Sequence, residues 1–365
     1  YTLCQFPGGL LSEKIGPKST LIVCTVGCTL ITIISGFIVL GGFSIALMIP
    51  LLFICRFLLG AFQGPLFPAT AGGVIARWFP SGSWALPNGM TSTALALGSA
   101  STPPIIVYLA EYFGWQSTFF LISILGVIGT IVWWKHSRNW PNEHPDINQA
   151  ELELIGEPDF NNNQMTWPMV KEVLKNKNIL FTALGYMSMN YVFFIFYSWI
   201  FIYFVNIRGF DVLEGSMLAS LPFLMGAIGA TCGGFLCDRL QKRYGVIWGH
   251  RIPIIVGLIP SAGFLLFGSI TEHPYLAVLS LSLCYGFIEL TEGPFWSTIG
   301  FISDKPQAAG GILNTGGNLG GVLATPLIPI MVAQYDWVIA LNSGGVFAIL
   351  GVLFFMQVKF NEADE

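Results

Sequence analysis

Charge is what this sequence has least of. Of its 365 residues, 10% are Asp, Glu, Lys or Arg and 54% are hydrophobic, whereas a soluble globular domain carries about a quarter charged residues. Too few ions remain to cover a water-facing surface, which excludes an ordinary soluble protein. Sixteen Lys and Arg against twenty Asp and Glu, a net charge of −4, leave no basic stripe for nucleic acid. The four His (His136, His144, His250 and His273) fall in expected loops, with no Cys or acid set at metal spacing. A phosphate-cradling loop is also missing, so a metal centre, a cofactor enzyme and an ATP-driven pump are all disfavoured. No Asn-x-Ser/Thr sequon occurs, which favours a bacterial source. The seven Cys (4, 24, 28, 55, 232, 237 and 284) sit in or at apolar segments and read as free thiols.

What the sequence does contain is apolar bulk. Thirty Phe, eleven Trp and forty-two Gly suit helices that face lipid and approach one another closely. A bilayer asks for about 20 apolar residues per spanning helix. Ten segments meet this, namely 19–41, 44–77, 85–110, 114–134, 178–205, 213–237, 252–271, 274–301, 306–333 and 336–357. Residues 1–11 read as the end of a further helix. The runs are continuous rather than alternating, which excludes a strand barrel. Threaded through these spans, fourteen of the sixteen Lys and Arg fall on one side, which the positive-inside rule makes cytoplasmic. The C-terminus lies on that side. Arg208 is on the other side, and Arg56 is inside a span.

One long polar stretch, 138–177, interrupts the spans. Asn139 to Gln164 is rich in Pro, Asn and acids and reads as a linker, and Trp167–Lys177 as a short amphipathic helix at the membrane surface. A repeat relates the two sides of it. Gly8 to Ile15 matches Gly233 to Leu240 at an offset of 225, and Gln63-Gly64-Pro65 matches Glu292-Gly293-Pro294 at 229. Gly89, Thr93, Leu97, Gly98 and Trp115 match Gly311, Thr315, Leu319, Gly320 and Trp337 at 222. The expected fold is therefore an all-α membrane protein of two pseudo-symmetric halves, each of six helices when complete. The first half covers 1–137, the linker 138–177 and the second half 178–365. The span 178–205 finds no partner in the first half, so eleven of twelve helices are expected here, with the first one missing.

In this order the residues resemble the major facilitator superfamily. Gly9 to Lys18 follows its G-x-L-x-D-R-x-G loop pattern with Glu13 and Lys14 in place of Asp and Arg, and Asp238-Arg239 restores both in the second copy. More narrowly, the chain is similar to the anion:cation symporter branch, whose members include hexuronate, galactonate and glucarate transporters, sialin and the vesicular glutamate transporters. Four runs carry this: Arg56 to Gly60 continuing to Gly64-Pro65-Leu66-Phe67-Pro68; Glu143-His144-Pro145 with Glu151 and Ile155; Glu292 to Trp296; and Asn314 to Gly321. The resemblance implies a secondary transporter, not an enzyme, that moves a small organic anion by alternating access. It also implies that Arg56 acts in carboxylate transport. The family's proton-coupling Glu stands where this chain has Gln63, which cannot titrate.

The residues themselves allow both functional and bland roles. An ionised Arg near mid-span costs about 2.5–3.5 kcal/mol on insertion scales, so Arg56 must face an interior or a wet cavity. Its planar fork suits a substrate carboxylate; the alternative is a permanent ion pair with Glu289 or Glu292. Gln63 lies two helical turns from Arg56 on one face and either bonds substrate or serves as a structural amide. Glu289 and Glu292, at i and i+3, share a face. They suit a coupling carboxyl that takes and releases a proton, with Arg56 as switching counter-charge; the alternative is a static pair or an end-of-span acid. Asn314, Asn318, Asn190, Tyr191, Tyr197 and Tyr285 are polar groups within spans. They offer either helix–helix hydrogen bonds or a lining for a polyhydroxylated acid. Trp199 and Trp296 read as lipid-facing or packing residues. Glu13, Lys14, Asp238 and Arg239 are expected to gate the cytoplasmic side, the acids at neighbouring helix N-termini.

The expected function is thus a proton-coupled symporter for a small organic anion such as a sugar acid, with sodium as the alternative ion. It is expected as a monomer in a bacterial inner membrane, with no nucleic-acid partner. The alternatives are an uncoupled facilitator or exporter of the same fold, and a non-transporting transceptor or assembly subunit.

Overall fold

The computed structural model describes residues 1–80, 83–155, 175–303 and 306–360, apart from the side chains of Glu13 and of residues 306–308. The architecture is helical throughout these residues. Nine helices among them are long and apolar enough to cross a membrane. The expected spans 213–237 and 252–271 both lie in Val212–Ile270, two helices that meet at a kink, so each of the ten spans expected from the sequence falls on a helix. The kink is at Gly245, whose φ of +79° lies in the left-handed region that a side chain disfavours.

The chain divides into two compact units, Tyr1–Ser81 with Ile105–Val170, and Gly82–Pro104 with Lys171–Glu365. In the first unit are α1 (Thr2–Ile15), α2 (Pro17–Leu40), α3 (Ile45–Gln63) and the end of α4 (Ala85–Phe113). It also holds α5 (Ser117–His136) and the short α6 (Gln149–Ile155). Helix α3 stops at Gly64-Pro65, where proline lacks the amide to continue it. The chain then resumes through Leu66–Pro68 and a π-helical stretch, Ala69–Ile75. Helix α2 packs on α3 through Ile31, Ile38 and Cys55, and on α5 through the Phe37 and Phe120 rings, 5.1 Å apart.

Residues 138–155 of the expected linker are more ordered than its composition implies. Asn139 accepts from the Lys18 amide at 3.1 Å, its carbonyl receives Arg77 Nη1 at 3.5 Å, and the Arg77 guanidinium lies 4.2 Å over the Trp140 ring. The Glu143 carboxylate then caps the amides of Asn139 and Trp140. The start of the linker is thereby tied to its unit. The surface helix expected over Trp167–Lys177 falls almost wholly outside the described residues.

The second unit holds the start of α4, α7 (Lys177–Ile202), which runs into the π-helical Tyr203–Ile207, and α8 (Val212–Ile270). After these come α9 (Pro274–Glu289), α10 (Glu292–Ile302), α11 (Pro306–Gln334) and α12 (Trp337–Phe355). Asn176, Asp211 and Asp336 start α7, α8 and α12 as side-chain N-caps, accepting from Asn178, Glu214 and Ile339 amides. Arg208 closes the opposite kind of end. Its guanidinium donates to the Thr271, Gly268 and Ser269 carbonyls at 2.6, 2.7 and 3.2 Å, where α8 finishes, and to the Tyr203 hydroxyl at 3.0 Å. Arg251 does the same for the end of α12 through Met356 and Val358. Cations suit helix C-termini because the last carbonyls lack partners and carry partial negative charge.

Two His placements differ from expectation. His136 ends α5 rather than lying in a loop, and His250 is wholly buried within α8. The His250 ring bridges the Val246 carbonyl at 2.8 Å and Ser297 Oγ at 3.1 Å. All seven Cys are free thiols.

Candidate functional site

The break between α9 and α10 carries the acids. Helix α9 ends at Glu289, Leu290 and Thr291 intervene, and α10 begins at Glu292 with Pro294 in its first turn. Both carboxyls are buried, at 3% exposure for Glu289 and 7% for Glu292. A carboxylate taken out of water needs donors or a proton. Glu292 has two donors, both neutral: the Tyr186 hydroxyl at 2.7 Å from Oε1 and Trp296 Nε1 at 3.0 Å from the same oxygen. Glu289 sits one turn from the fully buried Tyr285. Both close on Gly226 of α8, where an added Cβ would stand 2.5 Å from the Tyr285 ring and 3.0 Å from Glu289 Cγ. Neither acid has a cationic partner among the described residues of this unit.

Polar groups of α7 and α11 extend the cluster. Helix α11 passes α7 where Gly317 faces the Tyr186 ring and the Asn190 amide. Asn190 donates to the Tyr186 carbonyl at 2.9 Å. Asn314 and Asn318 are buried one turn apart, and Asn318 Nδ2 donates to the Asn314 carbonyl at 2.8 Å and to its Oδ1 at 3.0 Å. Asn314 Nδ2 and Thr315 Oγ1 are buried with no partner among the described residues. Buried donors without partners are uncommon and cost free energy, so Asn314 presents a donor that a ligand oxygen would satisfy.

The other expected site residues belong to the first unit, are exposed, or have different partners. Tyr191 shares α7 with Tyr186, but its hydroxyl lies 2.9 Å from Ser343 Oγ and its ring stacks on Phe347 at 4.0 Å. It joins α7 to α12. Tyr197 is exposed. In the first unit, Arg56 and Gln63 are both exposed on α3, and neither has a hydrogen bond or ion pair among the described residues. The expected gate residues divide likewise. Asp238 Oδ2 accepts from the Leu86 amide at 3.3 Å, at the start of α4, while Arg239 and Lys14 are exposed. The Glu13 side chain lies outside the described residues.

The start of α4 rests on two glycines. A Cβ at Gly234 or at Gly293 would stand 2.7 Å from the Ala85 carbonyl oxygen. The residue after Glu292 therefore supports the helix whose first turn Asp238 holds. Two turns further along α4, the Thr93 hydroxyl donates to the Ala227 carbonyl at 3.0 Å and meets the Thr231 hydroxyl at 2.7 Å.

Two residues at the centre of the cluster were not anticipated. Trp296, expected only to pack or face lipid, is a donor to Glu292. Its i+4 spacing from Glu292 was the signal available. Tyr186 arrives from another helix, and no local spacing marks it.

Comparison with known proteins gives a consistent result. The family pattern described as Major Facilitator Superfamily matches residues 1–310. A probable galactarate/D-glucarate transporter of Bacillus subtilis (strain 168) is 31% identical over 344 residues, covering 90% of this chain and 73% of that protein. A hexuronate transporter of the same organism is 30% identical, covering 98% of this chain and 83% of its own length. Among solved structures, the proton:xylose symporter XylE bound to 6-bromo-6-deoxy-D-glucose aligns at a TM-score of 0.71 with 16% identity, over 98% of this chain and 84% of that one. The Escherichia coli fucose:proton symporter aligns at 0.70 with 13% identity, over 98% and 88%.

Proposed function

Because the chain belongs to the major facilitator superfamily, in its anion:cation symporter branch, we propose that it moves a small sugar-acid anion across the membrane by proton-coupled alternating access. The observation that carries this reading is the buried Glu292 with only neutral donors. A carboxyl so placed gains from a proton whenever one is offered and is not locked to a fixed cation. Glu289, one turn away, adds the repulsion that discourages both from ionising together. Arg56 is the ligand for the substrate carboxylate. Gln63, Tyr285, Asn314 and Asn318 are neutral donors for its hydroxyls, with Asn314 Nδ2 the donor left open. The Tyr191 hydroxyl, occupied by Ser343, takes a packing role.

The moving parts in this reading are the two repeat halves, 1–137 and 178–365, joined by 138–177. Asp238 on the Leu86 amide is a latch of the gate, with Arg239, Glu13 and Lys14 on the same cytoplasmic side. The protein works as a monomer in a bacterial inner membrane with its C-terminus inside, and protons rather than sodium are the driving ion. Glucarate, galactarate and hexuronates are the first acids to test, since relatives bear those names.

Uptake of radiolabelled glucarate into proteoliposomes, with and without an inward proton gradient, tests the reading. Gradient-stimulated uptake that Glu292→Gln abolishes is the expected result. Full gradient-driven uptake by Glu292→Gln removes Glu292 from the mechanism. A second reading, an uncoupled facilitator or exporter, draws on Gln63, which cannot titrate where the resemblance to the family implies a Glu; gradient-independent flux selects it. Absence of flux for every acid tried selects a non-transporting transceptor or assembly subunit.

A further inference from the structure

Both hydrogen bonds to the Glu292 carboxyl arrive at one oxygen. Tyr186 comes from α7 and Trp296 from the next turn of α10, and their own polar atoms are 3.2 Å apart. Neither donor is free to swing. The Tyr186 ring packs against Phe295 and Trp296, with centroids at 5.5 and 6.1 Å, and on its far side α11 passes so closely that a Cβ at Gly317 would overlap it. Trp296 is itself buried. The pair is therefore a fixed clamp on Oε1, and Oε2 is left as the oxygen with open lone pairs.

Resting on the reading of Glu292 as the coupling carboxyl, we infer that Tyr186 and Trp296 are positioning residues that hold Oε1 so that the proton is taken up and released at Oε2. The step balances simply. A proton from water on one side forms an O–H bond at Oε2, and the same bond breaks to water on the other side. No electrons move, and both clamp bonds persist in each state. Because a donor bonds the charged carboxylate more strongly than the neutral acid, the clamp also sets the pH at which the proton leaves.

Few other charges bear on Glu292 in its own unit. Glu289 and Tyr285 face it from α9 and Tyr186 from α7. Helix α8 directs His250 to Ser297 and Asp238 to Leu86. Helix α11 presents the neutral Asn314, Thr315 and Asn318, and α12 has no ionisable side chain. Removing either donor is thus expected to alter the titration of Glu292 through the hydrogen bonds gathered at Oε1, which include the bond from Trp296 Nε1 to the Tyr186 hydroxyl.

The test uses the full protein in liposomes and infrared difference titration of the protonated-carboxyl C=O stretch, with the Glu292 band assigned by its loss in Glu292→Gln. Tyr186→Phe keeps the ring and deletes only the donor. It is expected to move the midpoint of that band toward alkaline pH by about one unit. Trp296→Phe is expected to move it in the same direction by less. In parallel, the pH profile of glucarate uptake should shift with the band while the KM measured at acid pH stays within about twofold. A band that is present but unmoved in both variants overturns the clamp and leaves the Glu292 reading intact. So does a tenfold rise in KM with an unmoved midpoint, which would make Tyr186 a substrate ligand. If Glu292→Gln removes no titrating band, Glu292 is not the coupling carboxyl, and both readings fall together.

Discussion

In the repeat read from the sequence Gln63-Gly64-Pro65 matches Glu292-Gly293-Pro294, and each adjoins a helix break: Gly64-Pro65 is the break after α3, whereas Leu290-Thr291 is the break and Glu292 starts the next helix. Their surroundings are opposite. Gln63 is exposed and unpartnered among the described residues, whereas Glu292 is buried beneath a phenol and an indole. The same offset of 229 sets Arg56 against Tyr285, Gly60 against Glu289 and Phe67 against Trp296. The two segments thus share proximity to a helix break and differ in chemistry. One has a cation and a neutral amide; the other has two acids and the neutral groups that surround them. In the proposed mechanism the first supplies the anion ligand and the second the titrating group.

Substitutions in the two segments put this division to the test. The largest effect is expected for Arg56→Ala, because removing the charged partner of a carboxylate costs about 2–5 kcal/mol, on the order of a hundredfold in substrate uptake. Arg56→Lys should recover only a small part, since a point charge replaces a planar fork. Uptake kinetics measure both, and an Arg56→Ala variant with normal KM and rate would move the anion ligand elsewhere. Next, the double variant Gln63→Glu with Glu292→Gln returns the acid to the first copy. Without a clamp around position 63 it should restore no more than about a tenth of gradient-driven uptake, one tenfold step being 1.4 kcal/mol. Full restoration would make the two sites interchangeable and the clamp irrelevant.

Gly293→Ala should follow, at about 1–3 kcal/mol of stability, because its Cβ would press on the backbone carbonyl of Ala85. Gly64→Ala should cost a similar amount, because its Cβ would stand 2.7 Å from Cys4 Cβ and 2.9 Å from the Cys4 carbonyl carbon. Paired thermal unfolding curves would compare them, and a clear difference would show that one break is held more tightly than the other. The smallest effect belongs to Tyr191→Phe. Losing the bond to Ser343 is expected to lower stability by about 0.5–1.5 kcal/mol and leave the KM for substrate unchanged; a raised KM would restore Tyr191 to the binding site.

The amount legible beforehand follows from the range of each signal. Spans were readable because bilayer thickness fixes their length and lipid fixes their polarity, and the sharp bend at Gly245 separates the two that share Val212–Ile270. Glu289 and Glu292 were readable because an acid inside an apolar run has no innocuous explanation, and the repeat marked the second of them. Tyr186 and His250 were not. A Tyr among apolar residues looks the same whether it packs or donates, and a His between two spans looks like a loop residue until Ser297 of another helix is seen beside it. Arg208 was conspicuous as a cation off the basic side. Its role as a cap on three carbonyls of α8 depends on contacts about sixty residues away, a distance over which periodicity carries no information.

The thiols lend themselves to spectroscopy. Cys24, Cys55, Cys237 and Cys284 are buried and Cys4 and Cys28 are partly covered, while Cys232 is the one exposed thiol. It follows Thr231, whose hydroxyl meets Thr93, and precedes the glycine pair of α8 on which the breaks of neighbouring helices rest. A small environment-sensitive fluorophore on Cys232 would therefore watch the α4–α8 contact in the unmutated protein, and a signal that changes when glucarate is added would turn a packing detail into a clock.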